Sequence, residues 1–139
     1  MKPSALRGSV LRPILLLMLL PLLAAGCGGK AEETAKGNTY TVRGRVVQLP
    51  SQGSGLYLEH EAIDNYVARS GKVEGMSSMT MPFPVGKDVS LGGIQTDDIV
   101  EVQLHIDWSD EDRPVEITAI RELPRDTQLE FRLARPPQP

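Results

Sequence analysis

Residues 99–108 read IVEVQLHIDW. Val100, Val102, Leu104, Ile106 and Trp108 fall on one face of an extended chain, and Glu101, Gln103, His105 and Asp107 on the other. Successive side chains of a strand leave opposite faces, so this alternation marks a half-buried strand. VEITAIREL (115–123) alternates again, and LYLEH (56–60) does so briefly. Tyr40, Val42, Val46 and Val47 mark TYTVRGRVVQL (39–49) as a long first strand, with Gly44 at a bulge or sharp coil. Pro50, Ser51, Gly53, Ser54 and Gly55 make a turn, and SDEDRP makes a charged one. GKDVSLGGIQTDD (86–98) reads as a loop with a turn of helix at most. The fold expected is all-β: a small barrel of five strands, or six if TQLEFRL (127–133) adds an edge strand. About 85 residues suffice to close such a barrel, and closure removes most exposed edges.

Outward from this core, the N-terminus has another character. Lys2, Arg7 and Arg12 precede ILLLMLLPLLAAG, an apolar run of about thirteen residues, where spanning a bilayer needs roughly 20. The run fits the h-region of a secretory signal (1–26) and ends in Ala24, Ala25 and Gly26 before Cys27, the only cysteine of the 139 residues. A lone cysteine makes no intramolecular disulfide. Its place after LLAAG resembles a bacterial lipobox, which implies a lipidated Cys27 as the new N-terminus. A plain secreted protein with a spare thiol and a retained membrane anchor are the other readings. Gly28 beside it resembles outer-membrane sorting, so the location expected is the cell envelope, facing the periplasm. Residues 27–38 then serve as lipidated cysteine and flexible tether, with a reach of roughly 18 Å. AEETAK within it is the alternative of a short helix. Residues 39–124 form the barrel, and 125–139 a C-terminal extension, edge strand and then disordered tail. Loss of the three leader cations takes the net charge from −3 to about −6. Charge and compartment both argue against a nucleic-acid partner.

The other signal is GMSSMTMPFPV (75–85). Three of the chain's five methionines fall there, and the other two, Met1 and Met18, lie in the leader. Met79 and Met81 leave one face of a strand, with Cα atoms roughly 7 Å apart. Paired thioethers are soft donors that favour Cu(I), or the similar Ag(I), over hard cations. They also resist the disulfide chemistry of an oxidising compartment. The alternative is core filling, the usual use of methionine at alternate strand positions. His60, in HEAI (60–63) at the end of the second strand, adds a borderline nitrogen donor. His105 lies on a polar face and reads as solvated.

The order H-E-x-I, M-x-x-M-T-M-P-F-P-V, G-I-x-x-x-D-x-V-x-V over residues 40–122 resembles the CusF-like family of periplasmic copper-binding proteins. That resemblance implies a five-stranded OB-type barrel, with His60 as nitrogen ligand and Met79 and Met81 as sulfur ligands of Cu(I) or Ag(I). The family pattern has a tryptophan where this chain has Met76, which is then a fourth ligand or an apolar lid. Trp108 lies on another strand and is not recruited. The stretch between His60 and Met76 is longer than in the compact pattern, and its extra residues, NYVARSGK (65–72), read as a loop or helical turn near the site. Tyr66 in it is read as a metal shield or part of a solvated loop. Phe83 is read as core. Pro82 and Pro84 limit pairing at the strand end.

No nucleophile elbow or zinc-hydrolase ligand set is present, so the expectation is a binding protein and not an enzyme. The function expected is a monomeric, envelope-anchored carrier or buffer of Cu(I) or Ag(I). The resemblance implies an efflux pump or another copper protein as partner, with the metal passed by ligand exchange. The rival is a structural or adaptor lipoprotein whose barrel binds protein or glycan. Metal binding is expected to weaken as His60 protonates, below about pH 6.5 for an unperturbed imidazole.

Overall fold

The computed structural model describes residues 36–138. The signal segment, Cys27 and most of the tether lie outside the described residues. Five strands follow in order: β1 (Asn38–Gln48), β2 (Leu56–His60), β3 (Met79–Phe83), β4 (Ile99–Ile106) and β5 (Val115–Glu122). No helix occurs among the described residues. The sheet order is β3-β2-β1-β4-β5, and each neighbouring pair is antiparallel. A parallel bridge between Val85 and Ile117 joins the two ends. There Gly86 N–H donates to Ile117 O and Ile117 N–H to Pro84 O, both at 2.8 Å. The protein is therefore all-β, a five-stranded barrel with the OB-type strand order.

Alternation builds the interior as expected. Tyr40, Val42 and Val46 of β1, Leu56 and Leu58 of β2, and Val100, Val102, Leu104 and Ile106 of β4 are buried together, joined by Phe83 and Ile117. Phe83 is core, as read from its position. Three details differ. The β1–β2 ladder shifts at Val47, not at Gly44, because Val46 faces Leu58 while Gln48 faces Tyr57. Gly44 instead marks close approach, since a Cβ there would stand 2.6 Å from Glu59 O and 2.8 Å from Leu58 Cγ. In β5 the alternation breaks at Thr118, because Gln103 pairs with Ala119 and Leu104 with Ile117. The extra residue turns Ile117 and Ile120, three apart, toward the interior.

TQLEFRL is not a sixth strand. Residues 124–138 carry no strand. Yet the extension is held in place. Ser78 N–H donates to Arg132 O, Arg132 N–H to Ser78 Oγ and Ala134 N–H to Ser77 Oγ, all within 3.0 Å. Side-chain acceptors replace a regular ladder here.

The 18 residues between β2 and β3 fold back on themselves through bridges Ile63–Met76 and Val67–Val73. The excursion is anchored. Val67 N–H donates to Tyr40 Oη at 2.9 Å, and Trp108 Nε1–H donates to Val67 O at 3.0 Å. Arg69 lies 5.6 Å from the Trp108 ring centroid, a cation–π contact. Tyr66 packs on Tyr40 with centroids 6.1 Å apart and is neither free nor fully solvated. Trp108 thus holds the excursion.

Candidate metal centre

β2 turns Leu56, Leu58 and His60 inward by its two-residue period, and all three are buried. β3 pairs with it in register: Leu56 with Phe83, Leu58 with Met81, His60 with Met79. Directly opposed residues share a face, with Cβ atoms about 5 Å apart. Met79 is therefore the cross-strand neighbour of His60, and Met81 lies two residues along on the same face of β3. The opposite neighbour of His60 is Gly44 of β1. With no side chain there, β1 packs closely against the backbone of β2 at His60. A Cβ at Gly44 would come within 3.0 Å of His60 Cα.

The imidazole is completely buried. Its Nδ1 lies 2.7 Å from Glu61 O. A carbonyl only accepts, so Nδ1 carries the hydrogen and Nε2 of the neutral ring keeps a bare lone pair. Nε2 is buried and has no hydrogen-bond partner. An orphaned polar atom of this kind costs about 1–3 kcal/mol, and such atoms call for an explanation. Phe83 stands edge-on to the ring, with centroids 5.6 Å apart. Burial lowers the His60 pKa from 6.5, opposed in smaller part by the Glu61 hydrogen bond. The ring is thus held neutral, tautomerically fixed and unpartnered on one nitrogen. Metal-ligating histidines commonly donate their other N–H to a backbone carbonyl in this way.

The sulfurs differ in exposure. Met81 is half-buried and packs on the core, whereas Met79 is 50% exposed. Met76 is half-buried and also packs on the core. It is placed by the bridge to Ile63, with Ile63 N–H donating to Met76 O at 2.8 Å and Met76 N–H to Ile63 O at 2.9 Å. That bridge lies up to roughly 10 Å along the strand direction from the His60–Met79 pair. The β2–β3 register puts His60, Met79 and Met81 on one face, and Met76 sits at an isolated bridge to Ile63 beyond the end of that ladder.

No protein-family model matches the chain, and no curated protein does. A solved structure does: apo-CusF residues 6–88 from Escherichia coli, at 1.5 Å resolution. It is 16% identical, with a TM-score of 0.46, over 68% of this chain and 99% of that one.

Charged groups near the site were not singled out by sequence. Arg43 forks onto Glu61 at 2.8 and 3.0 Å. The same carboxylate accepts Glu130 N–H at 2.7 Å. Arg132 forks onto Asp64, both bonds at 2.8 Å, and Arg135 N–H adds a third at 2.7 Å. The Arg132 hydrogen bonds, with that from Arg135, pull the Asp64 pKa from 3.8 to about 2. His105 bonds Thr39 Oγ1 through Nδ1 on the outer face, away from the methionines.

Proposed function

We propose that this protein is a cell-envelope carrier or buffer for a soft monovalent cation, Cu(I) or Ag(I). His60 Nε2 and the sulfurs of Met79 and Met81 are the donors, with Met76 a fourth donor or lid. The observation that supports this most is the buried lone pair of His60 Nε2, left unpartnered on the face it shares with two thioethers. An NS₂ set of neutral donors suits a soft cation of single charge and offers little to Ca²⁺ or Mg²⁺. Among the described residues no cluster of His, Cys, Asp or Glu forms a hard or zinc-type site. Met79, half in solvent, is the donor a partner's thioether reaches first, so transfer proceeds by ligand exchange at that side. The lipobox-like run before Cys27 supports anchoring by acyl chains, two or more of which would hold the carrier stably at a membrane. A metal efflux pump or another copper protein is the partner class for such exchange.

Competition for Cu(I) against a colorimetric chelator under reducing conditions tests the reading. Wild type should withdraw the metal, and Met79→Ala/Met81→Ala should lose at least about 100-fold in affinity, the scale of about 2.7 kcal/mol. Equal competition by both would leave the adaptor reading in place. Met76→Ala separates its two roles: unchanged affinity makes it a lid.

A further inference from the structure

Met76 and Met79 are linked by only two residues, Ser77 and Ser78. Both hydroxyls accept backbone N–H groups of the C-terminal extension: Ser77 Oγ from Ala134 at 3.0 Å and Ser78 Oγ from Arg132 at 2.9 Å. Ser78 N–H returns a bond to Arg132 O at 2.9 Å. The same short stretch grips the chain just after His60. Glu130 N–H reaches the Glu61 carboxylate, and Arg132 forks onto Asp64. Gly75, at φ +68°, lies against the extension so closely that a Cβ would stand 2.7 Å from Ala134 Cβ.

These contacts join two segments that lie outside the five strands and are otherwise tied to each other by the Ile63–Met76 bridge. One leads out of β2 beyond His60; the other leads into β3 before Met79. We infer that residues 129–136 are a clasp that pre-organises the soft-donor site by fixing the Ser77–Ser78 link to the segment after His60. This rests on the soft-metal reading above. The physical sense is entropic: donors held near their bound geometry lose less freedom on binding. Ser77, Ser78 and Arg132 are positioning residues and touch no metal.

The test is Cu(I) competition against a chelator with the purified full chain, as wild type, Ser77→Ala/Ser78→Ala and Ser77→Thr/Ser78→Thr. The alanine pair should bind about tenfold or more weakly, and the threonine pair, which keeps both hydroxyls, should recover most of the loss. Amide exchange in the metal-free protein should quicken at Arg132 and Ala134 in the alanine pair only, while the β1–β4 ladder keeps its protection. Wild-type binding with no loss in the alanine pair overturns the clasp alone. Failure of the wild type to bind overturns the soft-metal reading and the clasp with it. If the alanine pair does not fold, a chain ending at Gln128 serves as the second arm, with the same affinity loss expected and unchanged affinity contradicting it.

Discussion

His60 holds its hydrogen on Nδ1 because Glu61 O can only accept, and this leaves Nε2 bare inside the barrel. A histidine kept for structure would lose stability on replacement. Here His60→Leu should change metal-free stability by only about 1 kcal/mol, since removing the orphaned Nε2 offsets loss of the Nδ1–H bond to Glu61 O. It should also abolish Cu(I) competition, and thermal melting beside chelator titration checks both. The onset of weakening expected for an unperturbed imidazole moves to lower pH, because burial lowers the His60 pKa from 6.5. Affinity should hold flat as pH falls past 6.5 and drop only at a lower pH, read by the same titration at a series of pH values. The sign for folding follows from linkage. Above 6.5 both folded and unfolded rings are neutral and nothing is lost. As pH falls below it, the unfolded ring takes a proton first, so stability declines until the folded ring also titrates.

At the scale of elements, β2, the strand that carries His60, packs against a β1 position with no side chain, Gly44. Gly44→Ala should force β1 away from β2, because the nearest obstacles include Glu59 O at 2.6 Å, a backbone atom that cannot swing aside. The expected cost is about 1–3 kcal/mol in denaturant unfolding. All five strands were legible in sequence, because alternation in IVEVQLHIDW and LYLEH is a local property. MTMPF was legible through its methionine spacing, and its in-register partner His60 through nearness along the chain. The bulges at Val47 and Thr118 were not, since a bulge depends on how two strands compare in length. Gly44 signalled something unusual in β1, but only the structure shows close approach in place of a bulge. The extension was misread as a strand with a loose tail. Its alternation was real, but its acceptors are serine hydroxyls 54 and 57 residues away, and no local pattern encodes those.

At the scale of the molecule, the barrel is closed by a short parallel bridge between Val85 and Ile117, and a buried core runs through it. Leu58→Ala removes a fully buried side chain directly across from Met81 and should cost about 2–5 kcal/mol, measurable by denaturant unfolding. Acid should loosen the extension separately from the barrel. The Asp64–Arg132 contribution is present above about pH 3.8 and is lost as pH falls toward about 2, where Asp64 itself takes a proton. Amide exchange at Arg132 should rise over that window. The claim on which the rest depends is that one imidazole and at least two thioethers meet on a single soft cation. X-ray absorption at the copper edge of the Cu(I)-loaded protein tests it most directly. The account predicts one nitrogen and two or more sulfur scatterers in the first coordination sphere, with the sulfur contribution lost in Met79→Ala/Met81→Ala. A wild-type spectrum of nitrogen and oxygen scatterers alone would contradict it.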